Sequence, residues 1–321
     1  MSRRRTPTPV PNTGIWAVVV LYHPQVEMLR RQFAATRPQV EGIVYYDNGA
    51  GREALSQLGL LSQPGILCLG DGGNRGLAAG LNEGLELLRQ QPGATFALLL
   101  DQDSIPSDDM VRTLHASFVA QSAAPGPRVA AVGPAIFDEL EGRLQRFGHA
   151  VSFARRRIPT DEETRARPFE VFYLITSGTL LVIQALAEIG LPEASLFIDS
   201  VDFEWSFRAR ARGYRLLGTY ATFLRHHWGD RLHRPFPGFS IRLHAPQRSY
   251  YICRNHLRLC FRSYMPPVWK LRGLRRMVTG AFLHAFFVPH RAAHLRAMWH
   301  GVRDGLRLAW ADHRRRLSSG P

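Results

Sequence analysis

Cysteine is scarce, acids are outnumbered, and no apolar stretch is long. The 321 residues hold three cysteines, Cys68, Cys253 and Cys260. The number is odd and the spacings match no zinc pattern, which excludes a disulfide framework or a structural zinc as the organising device. A reducing cytoplasm fits that usage. No apolar run approaches the roughly 20 residues of a membrane span. Arg3, Arg4 and Arg5 are followed by neither an uninterrupted hydrophobic region nor a small-residue cleavage site, so no signal peptide is expected. Asp and Glu number 26 against 41 Lys and Arg, with arginine heavily preferred, for a formal charge of +15. Such a balance points to an anionic partner: nucleic acid, an acidic membrane surface or a phosphorylated substrate. There is no helix-turn-helix, zinc-finger or RNP-like motif, and the excess gathers in the tail. Between Val268 and Pro321 stand 11 basic residues against two acids. Nucleic-acid binding would explain the charge but has no motif to carry it, and none is expected.

What is present is a string of short apolar runs that end in polar tips. After a polar arm (residues 1–13), the near-continuous β-branched run at residues 15–24 reads as a buried parallel strand closed by Pro24. Residues 25–37 have helical spacing, with Val26, Leu29 and Phe33 on one face. A second strand ends at Asp47-Asn48-Gly49, where Asp47 suits either a ribose or base edge or a simple turn. Residues 66–88 predict a strand, a Gly-rich loop (Gly72, Gly73, Gly76) and a helix. Asn74 or Asn82 can supply fixed hydrogen bonds there, and the helix N-terminus favours an anion. This loop matches neither the Walker motif nor the dinucleotide fingerprint. Strand, helix, strand with polar tips opens a doubly wound sheet, in which ligands bind beyond the strands' carboxyl ends.

The central run is Phe96 to Leu100, followed at once by Asp101, Gln102, Asp103 and Ser104. Paired carboxylates at a strand end suit a hard divalent cation against a diphosphate, although Asp also commonly caps a turn. Residues 142–168 are Arg-rich and aperiodic, as in an exposed hairpin or insertion. Residues 171–183 read as a strand bent at Thr176-Ser177-Gly178. A second acidic group, Asp199, Asp202 and Glu204, opens a helix with Phe203, Phe207 and Ala211 on one face. Asp202 there suits either the helix dipole or the general base for an acceptor hydroxyl. A further strand ends at His226-His227, either of which is a candidate metal ligand. In the helix 249–264, Tyr251, Arg254 and Arg258 share a face, with Asn255 beside them.

Taken together, VVVLYHP, YYDNGA, GNRGLAAGLN, LLLDQDS, LITSGTLL, LFIDSVDFEWSFRARARGY, HHWGD and YYICRNH resemble the family-2 glycosyltransferases, within them the bacterial rhamnosyltransferases. The pieces occur in the family's order over roughly residues 15–310. The resemblance implies a GT-A type nucleotide-sugar transferase fold, α/β with a Rossmann-like mixed sheet flanked by helices, over residues 14–265. It implies inverting transfer, with dTDP-L-rhamnose the favoured donor and hexosyl or galactofuranosyl nucleotides as alternatives. Asp202 would then be the catalytic base. Asp47, Asn74, Gly76, Asn82, Asp101 and Asp103 would bind the donor. Asp103 and His226 would hold Mg²⁺ or Mn²⁺, and Ser177, Gly178, Glu204, Trp205 and Arg254 would meet the acceptor. His23, where the family often has Asn, and Gly49-Ala50, in place of a Ser-containing turn, depart from the pattern near the nucleotide pocket. The acceptor class is a saccharide or a polyprenyl-linked saccharide for bacterial surface polysaccharide, and an oligomer is compatible with the sequence.

Residues 266–321 form a basic helical extension. Leu271, Leu274, Val278, Phe282 and Phe286 recur at spacings of three or four. Beyond Pro289 a second stripe is expected from Leu295, Trp299, Val302 and Leu306, with Arg296, Arg303 and Arg307 mostly off it. Such helices suit an anionic membrane surface, and packing on the catalytic domain or a second subunit is the alternative. The expected location is the cytoplasm, peripheral on the inner face of the bacterial membrane.

Overall fold

The computed structural model describes residues 14–123, 125–148, 158–159, 161–226, 231–236 and 239–318. The N-terminal arm, much of the Arg-rich insertion and His227 lie outside the described residues.

The chain begins β1 (Ile15–Leu21), α1 (Val26–Thr36), β2 (Gly42–Asp47), α2 (Gly51–Gln57), β3 (Ile66–Leu69), α3 (Leu77–Gln90) and β4 (Phe96–Asp101). These four strands are parallel, in the spatial order β3-β2-β1-β4. Every residue of β1 is buried because helices cover both faces of the sheet. Ile15, Ala17, Val19 and Leu21 turn to the side of α1 and α2, where Leu29 and Leu55 meet them. Trp16, Val18 and Val20 turn to α3, against Leu81, Leu85 and Leu88. At Gly84 the helix comes so close that an added Cβ would lie 2.5 Å from Val18.

The second half widens the sheet with β5 (Ser104–Pro106), α4 (Met110–Ser122), β6 (Val129–Asp138), β7 (Arg143–Leu144), α5 (Glu162–Ala166), β8 (Phe169–Val171), β9 (Leu180–Val182), α6 (Leu186–Ile189), α7 (Val201–Ala211) and β10 (Arg215–His226). Strand β9 enters antiparallel between β4 and β6, so the order continues β4-β9-β6-β10-β5 in one ten-stranded mixed sheet. The bend expected at Thr176-Ser177-Gly178 is the turn that leads into β9. A hairpin, β11 (Arg231–Phe236) and β12 (Phe239–Leu243), stands apart from this sheet.

The chain closes with α8 (Pro246–Cys260), α9 (Pro267–Phe287) and α10 (Arg291–Ser318). A small apolar core of Leu196, Val201, Phe207, Leu259 and Met265 ties α8 to α7. Helix α10 packs along α8, but not through the stripe its hydrophobicity suggests. Trp299 and Leu306 are 66% and 46% exposed, whereas Met298, Gly301, Gly305 and Ala309 face inward. An added Cβ would lie 2.4 Å from the Tyr250 carbonyl at Gly301 and 2.6 Å from that of Arg254 at Gly305. Close approach of two backbones selects small residues, which a hydrophobicity pattern does not mark. Arg258 of α8 then pairs with Asp312 of α10 at 2.8 Å.

Candidate active site

Side-chain amides tie the carboxyl end of β1 to that of β4, and the end of β2 to the Gly-rich loop after β3. Tyr22 N donates to Gln102 Oε1 at 2.8 Å, and Gln102 Nε2 donates back to Tyr22 O at 3.0 Å. Asn48 Nδ2 donates to Asn74 Oδ1 at 3.0 Å, which also accepts from Gly76 N, while Arg75 N donates to Asn48 Oδ1. Asn74 thus shapes the Gly-rich loop from within. At Gly76, with φ of 88°, an added Cβ would meet the Phe197 ring at 2.5 Å. Asn82 donates to Pro192 O at 2.8 Å, and its buried Oδ1 has no partner among the described residues.

Asp47 is spent on the backbone. Its carboxylate accepts from Gly49, Gly51 and Arg52 N–H at 3.0, 2.7 and 3.0 Å and closes the first turn of α2. Burial works to raise its pKa, but those three amides outweigh it and hold the group below the ordinary carboxylate range. Asp47, 5% exposed, thus makes the turn that the sequence also allowed.

Across β1, the end of β4 is different. Antiparallel pairing of β5 with β10 sets His226 opposite Ser104. One ligand atom each from Asp101, Asp103 and His226 lie within 4.8 Å of one another. His226 Nδ1 is 2.7 Å from Ser104 Oγ, Ser177 Oγ donates to Ser104 Oγ at 2.7 Å, and Asp101 N donates to Ser177 Oγ at 3.2 Å. This relay fixes the ring so that Nε2 faces the carboxylates, 3.9 Å from Asp101 Oδ2. In the tautomer whose Nδ1–H donates to Ser104, Nε2 presents a lone pair, the second-sphere arrangement of a metal-ligating histidine. Two carboxylates and an imidazole fit a Mg²⁺ or Mn²⁺ ion. Burial pushes the Asp101 carboxyl up to about 6, against the opposing charge of Arg248 and the Ser177 hydrogen bond.

The third element is the approach to α7. Phe197, Asp199 and Ser200 have φ of 67°, 61° and 63°, a costly region for residues with a Cβ. Helix α8 holds them there. Asn255 Nδ2 donates to the carbonyls of Leu196, Ile198 and Asp199 at 2.9, 2.7 and 2.9 Å. Arg254 Nη2 donates to those of Ser195 and Leu196, Tyr251 stacks on Phe197 at 4.7 Å, and Arg248 pairs with Asp199 at 3.1 Å. The strained entry delivers Asp202 to the second position of α7. Burial first, then the charges of Asp199 and Asp101, push its carboxyl up to about 7. Asp202 therefore shares one electrostatic field with the Asp101 cluster. A cleft lined by Gln145, Arg146, Tyr173, Ile175 and Ser177 opens beside the relay, and a smaller hollow bounded by Thr176, Pro192 and Trp205 reaches Asp202.

Three residues expected at the acceptor, Glu204, Trp205 and Arg254, have internal partners. Glu204 is 1% exposed and accepts from Arg208 at 2.7 and 2.9 Å and from Tyr264 OH at 2.8 Å. Trp205 Nε1 donates to Gly190 O, and Arg254 is occupied by the carbonyls named above. Ser177 and Gly178 do stand at the cluster, Ser177 in the relay and Gly178 N donating to Leu99 O. No local sequence signal marks Arg248 or the structural part of Ser104. Arg248 is 49 positions from Asp199, and no periodicity links them. Ser104 lies directly after Asp103, but its partner His226 is 122 positions away.

No family model matches the chain. It is 26% identical over 262 residues to the dTDP-rhamnosyl transferase RfbF of Shigella flexneri, a match that takes in 81% of this chain and 84% of that protein. The backbone is similar to the crystal structure of GalNAc-T7 with UDP, GalNAc and Mn²⁺, with a TM-score of 0.56 at 14% sequence identity. That likeness covers 91% of this chain and 56% of the other, so the chain spans little more than half its length. It carries the GT-A fold expected from the motifs.

Proposed function

We propose that this chain, a glycosyltransferase of GT-A fold similar to the family-2 enzymes, is an inverting enzyme that moves a sugar from a nucleotide donor, dTDP-L-rhamnose first among them. The acceptor we assign is a saccharide, free or polyprenyl-linked, used for bacterial surface polysaccharide of the O-antigen kind. One observation carries the reading. The Asp202 carboxyl at the start of α7 is pushed up to about 7 by burial and then by the charges of Asp199 and Asp101, and Asp101 itself belongs to the Asp101–Asp103–His226 cluster.

Asp101, Asp103 and His226 would hold Mg²⁺ or Mn²⁺, whose chemistry is to neutralise charge gathering on the leaving nucleoside diphosphate. The protein's own part follows from the residues. Asn74 and Gln102 keep the strand-end loops in register for the nucleotide. Ser104 and Ser177 hold His226 and the Asp101 backbone in place. Asp202, poised near neutrality, takes the acceptor hydroxyl's proton as that oxygen attacks the anomeric carbon from the side opposite the diphosphate. One displacement inverts the centre and needs no protein nucleophile, the same stereochemical logic as in inverting glycosidases. A lipid-linked acceptor would place the reaction on the inner face of the cytoplasmic membrane.

The test is nucleotide release from purified protein given dTDP-L-rhamnose, UDP-hexoses and UDP-galactofuranose, each with Mg²⁺ or Mn²⁺ and again with chelator. Release fastest from dTDP-L-rhamnose and stopped by chelation is expected. Turnover of another nucleotide sugar alone would change the donor. Product with retained anomeric configuration, or no turnover of any donor with any saccharide acceptor, would overturn the reading.

A further inference from the structure

Helix α9 is packed the wrong way round for a helix that meets only water. Its 21 residues include none that is buried and no Asp or Glu. Leu271, Leu274, Val278, Phe282 and Phe286, spaced by three or four, form one face, and each is 40–72% exposed. The small residues turn to the protein. At Gly273 an added Cβ would lie 1.9 Å from the His256 ring, and at Gly280 it would reach Met298 at 4.0 Å. Burial alone would put the large apolar face inward. Here the reverse is built, and the same helix carries Lys270, Arg272, Arg275 and Arg276.

Helix α10 continues the pattern. Its exposed large residues are Trp299, Leu306 and Trp310, with Arg296, Arg303 and Arg307 among them. Of its acids, Asp304 accepts from Tyr250 OH of α8 at 3.2 Å and pairs at the surface with Arg303 at 2.9 Å and Arg307 at 3.8 Å, and Asp312 pairs with Arg258 and Arg262. Of the 13 large hydrophobics exposed among the described residues, eight lie on these two helices. Exposed apolar residues gathered on two adjoining helices mark an interaction site, and arginine beside tryptophan selects an anionic interface with an apolar interior. No described helix is long and apolar enough to cross a membrane.

We infer that α9 and α10 form a docking surface for an anionic lipid bilayer, laying Phe282, Phe286, Trp299 and Trp310 into the headgroup boundary with the arginines against lipid phosphate. The surface is joined to the site. Trp269, near the start of α9, packs on Phe203 and Phe207 of α7 at 5.9 and 6.4 Å, beside Asp202. Resting on the transferase reading, this makes the docked face the side from which a lipid-linked acceptor arrives.

The experiment is flotation of the full chain with vesicles of phosphatidylethanolamine and phosphatidylglycerol in equal parts, against pure phosphatidylcholine. Wild type is expected to float with the anionic vesicles and to lose several-fold at high salt. Phe282→Glu with Phe286→Glu should lower the bound fraction about tenfold, whereas Val119→Glu, an exposed apolar position elsewhere, should leave it unchanged. Thermal protection by dTDP with Mg²⁺ reports the nucleotide site separately. A wild type that floats without such protection keeps the docking surface and undermines the donor assignment. Failure of wild type to float at low salt, or equal flotation of the double variant, overturns the inference. So does a dimer that the double variant dissociates while flotation is unaltered, since a second copy would then be the occupant.

Discussion

Strands β2 and β4 flank β1 in the same sheet, and both end in an aspartate at the same edge. Asp47 accepts three backbone N–H groups, is held charged, and completes a turn. Asp101, with its side chain 32% exposed, is pushed up to about 6 because the burial it has meets less compensation, and it faces His226. Helix α7 repeats the contrast within a single turn. Glu204 is enclosed by Arg208 and Tyr264, while Asp202 two residues earlier is pushed up to about 7. The lesson is that a carboxylate near a ligand-binding edge is disposed to chemistry only where burial outruns its hydrogen bonds.

The largest expected effect tests the enclosed member of the α7 pair. Glu204→Ala leaves Arg208 with its charge inside the protein and should cost about 3 to 5 kcal/mol in denaturant unfolding. A cost near zero would remove Glu204 from the class of structural carboxylates. Next comes Asp202→Asn, which keeps shape but cannot accept the proton. Transfer should fall at least about a hundredfold while donor affinity stays level, and ordinary turnover by this variant would end the base assignment.

Smaller in size is the pH dependence. The raised Asp202 pKa means the basic form is lost as pH falls, so kcat/KM should drop about tenfold per unit below about 7. Arg248→Gln leaves the Asp199 charge beside Asp202 without its cation and should move that limb to higher pH. A limb that stays put would sever Arg248 from the site. Smallest is Asp47→Ala, a lost helix cap worth about 1 kcal/mol of stability, with nucleotide affinity nearly unchanged by calorimetry. A large affinity loss at full stability would return Asp47 to the donor and dissolve the contrast between the strand ends.

The sequence by itself determined the elements and the order of the motifs. The all-apolar run Ile15 to Leu21 can only be a strand covered on both faces, and the run from Phe96 necessarily delivers Asp101 and Asp103 to a strand end. These are consequences of local patterning, written within a dozen residues. Tertiary structure alone decided which polar groups meet. His226 joins Asp101 because β5 pairs antiparallel with β10, and Arg248 meets Asp199 because α8 lies across the strained entry to α7. It also decided that α10 packs through Gly301 and Gly305 while Trp299 and Leu306 stay outside. Local periodicity reports how apolar a face is. The side of the helix that faces a neighbour depends on how closely two backbones approach, and so does the balance of burial and hydrogen bonds at a carboxylate. Both are properties of residues distant in the chain.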